Sequence, residues 1–184
     1  MKINLPNRLT LIRIALIPVF VVLMYYESLW AQVCAAAVFS IACITDYLDG
    51  DIARKRNLVT NFGKFADPIA DKLLVMSAYV MLVGQSRMPA WVCIVFLARE
   101  FTVSGFRLVA AGSGKIMAAG GLGKIKTFTQ MIAVILLILF APASAGFDSF
   151  GVIAANVMLY IALIMTVWSG ADYIVRNRQF IEDM

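Results

Sequence analysis

The chain has 184 residues, of which 62% are hydrophobic and 15% charged, with a mean hydropathy of +0.87. Water-soluble domains run nearer half apolar and a quarter charged, so this composition excludes an ordinary soluble domain and leaves no polar stretch long enough for a second core. The formal net charge is +5 and histidine is absent, which rules out histidine acid–base catalysis and histidine-ligated zinc or iron.

Residues 1–8, MKINLPNR, read as an interfacial segment, with Ile3 and Leu5 dipping toward lipid and Lys2 and Arg8 meeting anionic headgroups. A first apolar span follows over about 9–26. It contains Arg13 and Pro18 and lacks a small-residue cleavage site, so it reads as a retained helix rather than a signal peptide. Span two covers about 29–48, with Trp30 as its interfacial anchor and Asp46 and Asp49 near its end. A polar loop is expected over 50–64. Span three, about 65–83, then places Asp67 and Asp71 in its first turns, where Pro68 loses little backbone bonding. Span four runs about 89–110. The glycine-rich stretch 111–123 reads as a mobile connector, because no strand precedes it to make a phosphate-binding loop. Spans five and six cover about 124–140 and 151–174. Cys34, Cys43 and Cys93 fall in apolar runs without a C-x-x-C spacing and read as small buried hydrophobes.

The expected fold is therefore an all-α integral membrane bundle of six transmembrane helices in a single domain, 1–184. An even number of spans puts both termini on one side. Lys2, Arg8, the 54–64 basic cluster, Lys115, Lys124, Lys126, Arg176 and Arg178 fall on that side, and Arg87 alone falls in the opposite loops. The positive-inside rule places the termini and the acidic stretch in the cytoplasm.

The acidic stretch, Asp46 to Asp71, carries the chemistry. Asp46 and Asp49 are three apart and Asp67 and Asp71 four apart, spacings that put each pair on one helix face. Four carboxylates converging in a poorly solvated site repel one another, and a divalent cation removes the conflict. Oxygen-only ligation favours magnesium, calcium or manganese over zinc or copper, and the first and last of these are the usual partners of phosphate chemistry. Gly50 and Gly63 allow close backbone approach, Ala53 is small, and Arg54 can fork onto a phosphate.

The full pattern, Asp46-x2-Asp49-Gly50-x2-Ala53-Arg54-x8-Gly63-x3-Asp67-x3-Asp71, resembles the signature of the CDP-alcohol phosphotransferase family without a departure. The resemblance implies a six-helix membrane enzyme, usually a homodimer, which moves a phosphatidyl or related group from a CDP-linked donor to an alcohol and releases CMP. It implies that Asp46, Asp49 and Asp67 hold magnesium or manganese, as a pair of ions, on the donor diphosphate. Asp71 matches the general base and can also touch metal. Asp49, Gly50, Ala53, Arg54 and Gly63, with Asn7 and Thr10 on span one, match positions that line the cytidine nucleotide. A helix-capping role accounts for Asn7 equally well.

The likeness extends to nearly the whole chain. NLPNRLTLIRIALIP, Ala98-Arg99-Glu100-Phe101 with Ser104-Gly105-x-Arg107, and Gly123-Lys124-x-Lys126-Thr127-x-x-Gln130 are similar to the bacterial phosphatidylglycerophosphate synthase branch of that family. This implies CDP-diacylglycerol as donor, sn-glycerol 3-phosphate as acceptor, contact with membrane lipids, the bacterial plasma membrane as location, and no nucleic-acid partner. A small dianionic acceptor needs cations beyond the metal, and Arg99, Arg107, Lys124 and Lys126 are the candidates. Arg99, expected deepest and beside Glu100, leads them. Positive-inside anchoring accounts for each residue taken alone. The same family with inositol phosphate, serine or phosphatidylglycerol as acceptor is the first alternative. A membrane cation transporter is the remote one, and it gives no reason for the Gly, Ala and Arg positions between the aspartates.

Overall fold

The computed structural model describes residues 5–55, 61–112, 120–140 and 149–178, with side chains described for all of these except residues 5–9, 46–55, 61–68, 71 and 149. The described residues form six helices and no strand: α1 Leu5–Tyr25, α2 Leu29–Lys55, α3 Asn61–Gly84, α4 Ala90–Gly112, α5 Gly121–Leu139 and α6 Ser149–Arg176. A chain this apolar has few polar side chains to satisfy backbone groups, and helices satisfy them internally.

Local chemistry sets the turns. Between α1 and α2, Ser28 caps α2 by accepting the Ala31 N–H at 3.4 Å, and the Gln32 amide donates to the Glu27 carbonyl at 3.2 Å. After α3, Ser86 takes a left-handed φ of 57°, and the backbone N–H groups of Arg87 and Met88 both return to the Leu82 carbonyl. Pro89 then precedes the first residue of α4, a position that needs no N–H.

α1 packs against α2 and α3, α2 against α5, α5 against α6, and α6 against α4, with lighter contacts between α3 and its neighbours α4 and α5. The core is aliphatic and aromatic, with Phe20 against Phe39 at 5.8 Å and Tyr79 against Phe96 at 5.3 Å between ring centroids. At one end of the bundle the Gln85 amide donates to the Met24 carbonyl and Arg87 Nη1 donates to the Ile138 carbonyl at 3.1 Å. Burial pushes the Arg87 guanidinium below its ordinary value, and the nearby Glu27 charge opposes that shift. These contacts join the C-terminal ends of α1, α3 and α5. The N-terminal ends of those helices therefore gather at the opposite end, with the C-terminal ends of α2, α4 and α6.

The exterior is the reverse of a soluble protein's. Val22, Ile44, Val80, Ile94, Leu108, Phe128, Ile164 and Trp168 are exposed, whereas Arg13, Gln32, Lys126, Gln130, Thr166 and Ser169 are buried. α5 and the Phe150–Arg176 part of α6 are each long and apolar enough to cross a membrane, and Thr10–Tyr25, Leu29–Thr45 and Lys72–Gly84 are shorter apolar stretches.

Several expectations need correction. Residues 5–8 belong to α1 rather than to a separate interfacial approach, while residues 1–4 lie outside the described part. The polar loop expected over 50–64 is largely helical, since α2 continues to Lys55 and α3 begins at Asn61. Pro68 therefore sits in the interior of α3, where it removes one intrahelical hydrogen bond, and Asp67 and Asp71 lie beyond the first turn. Gly121, Leu122 and Gly123 open α5 instead of belonging to the connector, of which 113–119 lie outside the described residues. Cys34 is exposed, whereas Cys43 and Cys93 are buried as expected; all three are free thiols.

Candidate functional site

The aspartate signature sits on two consecutive helices that meet at one end of the bundle. Asp46 and Asp49 lie in the C-terminal part of α2, and Asp67 and Asp71 in the N-terminal half of α3. Their side chains, with those of Asn7, Ala53 and Arg54, lie outside the described part; Gly50 falls within α2 and Gly63 within α3. The backbone is helical through these positions, so the two aspartates of each pair stand about one turn apart along their helix. The donor set is oxygen throughout, which fits a hard divalent cation. Thr10, one turn into the N-terminal end of α1, is buried at 3% exposure.

The side chains expected to hold an acceptor phosphate divide into two groups. Arg99 and Lys126 come together around Glu100. Glu100 Oε1 lies 3.5 Å from Arg99 Nη1 and in direct contact with Lys126 Nζ. Lys126, not Arg99, is the deepest: its side chain is 2% exposed against 13% for Arg99. A buried ammonium persists only when paired, and Glu100 is one partner it has here. Arg107 and Lys124 are exposed, and the Arg107 guanidinium rests 5.5 Å from the centre of the Tyr173 ring.

Helix α6 builds the floor under Arg99. Arg99 Nη2 donates to Ser169 Oγ at 3.2 Å, and the Ser169 hydroxyl donates to the Thr166 carbonyl at 3.2 Å. Thr166 Oγ1 donates to the Ala162 carbonyl at 2.7 Å and accepts from Gln130 Nε2 at 3.0 Å, which ties α6 to α5 one turn beyond Lys126. A Cβ on Gly170 would stand 3.2 Å from Arg99 Cγ, so the arginine stem lies against bare backbone there. Among the described residues, Arg99 Nε has no hydrogen-bond partner. The α6 residues escaped the sequence reading. The signal was present: Thr166, Ser169, Gly170 and Tyr173 recur at helical spacing, a small-and-polar stripe on an apolar helix.

Glu100 and Gln130 also face a cavity enclosed by α2, α3, α4 and α5. Its polar lining is completed by Lys72 and Thr127, and its apolar depth includes Phe39, Tyr79, Leu97 and Val134. Lys72 directly follows Asp71, so this cavity borders the α3 segment that carries the second aspartate pair. One carboxylate between two cations, beside a cavity that touches the acidic helix, is an arrangement able to receive a small anion.

Comparison with known proteins identifies the family. A family model described as CDP-alcohol phosphatidyltransferase matches residues 3–168. The chain is 47% identical to a CDP-diacylglycerol–glycerol-3-phosphate 3-phosphatidyltransferase of Bacillus subtilis, over 95% of each protein. It is 44% identical to the protein of that name from Rickettsia typhi, over 92% of this chain and 94% of the relative. It is also 42% identical to a probable phosphatidylglycerophosphate synthase of Mycobacterium tuberculosis, over 94% of this chain and 81% of the relative. With a signature intact from Asp46 to Asp71 and likeness of this extent, the chain belongs to the CDP-alcohol phosphatidyltransferase family.

Proposed function

We propose that the protein transfers a phosphatidyl group from CDP-diacylglycerol to sn-glycerol 3-phosphate, giving phosphatidylglycerol phosphate and CMP. The observation that carries this is identity of 42–47% over more than nine-tenths of the chain to proteins named for that reaction or its product. The Arg99–Glu100–Lys126 cluster supports it, because an acceptor that bears its own phosphate needs cations apart from the aspartate site.

Asp46, Asp49 and Asp67, with Asp71 joining them, would hold a pair of magnesium or manganese ions. When bound, such ions balance the charge that develops on the departing nucleotide phosphate. Asp71 takes the proton from the acceptor hydroxyl as that oxygen attacks the phosphatidyl phosphorus. The bond from that phosphorus to the bridging oxygen breaks, and CMP leaves with the electron pair. Gly50, Ala53, Arg54 and Gly63, with Asn7 and Thr10 from α1, line the cytidine. Arg99 and Lys126 hold the acceptor phosphate, while the exposed Arg107 and Lys124 supply an attractive field at the rim.

The same reading takes all six helices as spans of a bacterial cytoplasmic membrane, with both termini and the aspartates on the cytoplasmic side and the protein as a homodimer. The apolar exterior and the one-sided distribution of Lys and Arg support the topology.

The test is CMP release by purified full-length protein in lipid vesicles containing CDP-diacylglycerol, with glycerol 3-phosphate, inositol phosphate, serine or phosphatidylglycerol supplied separately. Release is expected with glycerol 3-phosphate alone. Release with a different acceptor instead overturns the acceptor assignment, and release with none overturns the transfer reaction.

A further inference from the structure

We infer that Arg13 is a positioning residue for the metal site, a guanidinium on α1 that holds one oxygen of the Asp46 carboxylate and leaves the other for the cation. The inference rests on the reading of Asp46 as a metal ligand. Arg13 lies one turn beyond Thr10 in an apolar stretch of α1 and is 3% exposed. An arginine near the end of a span ordinarily snorkels along the lipid face to the headgroups. One that faces the bundle interior needs a polar partner there, and an anion is the strongest. α1 itself carries no acidic residue. It packs against α2, whose acids are Asp46, Asp49 and Asp51, and against α3, whose acids are Asp67 and Asp71. Every carboxylate on its neighbours thus belongs to the acidic stretch.

Helix register selects Asp46 among them. α1 and α2 are consecutive, antiparallel and in contact, and Phe20 meets Phe39 across their seam. The inward stripe of α1 runs Thr10, Arg13, Ile17, Phe20 and Met24, on a helix unbroken through Pro18, which lies on the exposed side. That of α2 runs Gln32, Ala35, Phe39 and Ala42. Seven residues advance a helix by about 10.5 Å and return it to within about 20° of the same face. Seven back from Phe20 is Arg13, and seven on from Phe39 is Asp46. Both steps run toward the same end of the bundle, so the two positions face each other across the seam as the two phenylalanines do. The backbone of α2 is helical through position 46. A guanidinium offers several donors in one rigid plane and fixes the plane of the carboxylate it grips. A metal-ligating carboxylate held in this way by an outer partner keeps one oxygen aimed at the ion, and loss of such a partner weakens metal binding.

The experiment titrates Mn2+ into purified full-length protein in detergent, without substrate, and follows the free ion by its electron paramagnetic resonance signal. It compares the unsubstituted chain with Arg13→Met, Arg13→Lys, Asp46→Asn and the double variant Arg13→Met with Asp46→Asn. Arg13→Met is expected to weaken Mn2+ binding by about 10–100-fold. Arg13→Lys recovers part of that loss, since an ammonium restores the charge but not the fork. The double variant binds Mn2+ no more weakly than Asp46→Asn alone, because without that carboxylate the arginine has nothing to position. Unchanged or tighter Mn2+ binding in Arg13→Met overturns the inference, and so do losses that multiply in the double variant. If Arg13→Met fails to fold but the double variant folds, the pairing stands, since the fault is then a carboxylate buried without its cation. If neither folds, Arg13 serves the bundle rather than Asp46 and the inference is overturned. Asp46→Asn separates the two levels. If it weakens Mn2+ binding while Arg13→Met does not, the positioning inference alone fails. If it leaves Mn2+ binding unchanged, Asp46 is no ligand and the inference falls with that reading.

Discussion

Arg99 shows how single residues divide the labour here. Its charge comes from its own side chain, but its position comes from α6, through one hydrogen bond to Ser169 and the missing side chain of Gly170. Ser169→Ala removes the acceptor of that bond and is expected to raise KM for glycerol 3-phosphate by about tenfold, the worth of one hydrogen bond to a charged group. Gly170→Ala pushes the Arg99 stem by a few tenths of an ångström and moves the same KM in the same direction. Neither changes KM for CDP-diacylglycerol, and steady-state kinetics with each substrate varied in turn checks this. A parallel loss on both substrates would mean that the bundle, not the acceptor site, had been damaged. On the proposed mechanism Asp71 acts at a different step. Asp71→Asn keeps the shape but cannot take a proton, so kcat is expected to fall by about 10²–10⁴ with KM for glycerol 3-phosphate nearly unchanged. A large rise in that KM at constant kcat would instead move Asp71 into acceptor binding.

At the scale of helices, close packing is set by a few small residues. Gly151, in the first turn of α6, lies against the Phe140 ring at the end of α5, and a Cβ there would collide with it. Gly151→Ala is expected to cost about 1–3 kcal/mol of stability through this overpacking. It should appear as a lower thermal midpoint in detergent, with activity retained well below that midpoint because the aspartates lie at the other end of the bundle. The helices also explain what was legible in the sequence. Existence and order of all six were readable from apolar runs. Their ends were not, because hydropathy marks where lipid stops and helix ends are set by capping and backbone bonding. α2 runs past Asp46 and Asp49 to Lys55, and α3 starts at Asn61, before its own aspartates. Gly50, Ala53, Arg54 and Gly63, expected in a loop, therefore lie on the same two helices as the aspartates.

For the whole molecule, apolar side chains fill the core and also cover the described exterior, and a few polar groups are buried among them. Residues three or four apart on one helix signalled the acidic stretch because the partners were close in the chain. The Arg99–Ser169 and Gln130–Thr166 contacts, 70 and 36 residues apart, depend on how α4, α5 and α6 pack, and no local pattern encodes that. The apolar exterior makes a topological prediction. In the antiparallel bundle the turn between α3 and α4 lies at the end opposite the C-terminal end of α6. If every helix spans the bilayer, the two ends face opposite compartments. Ser86 and Arg178 are both exposed and mark those ends. With the native cysteines replaced, Ser86→Cys is expected to react with a membrane-impermeant maleimide on intact cells. Arg178→Cys should react only after the membrane is opened. Labelling of both from outside would mean that a helix fails to cross. Labelling of Arg178→Cys alone would turn the bundle over and put the aspartates on the face where cytoplasmic CDP-diacylglycerol headgroups and glycerol 3-phosphate cannot reach them.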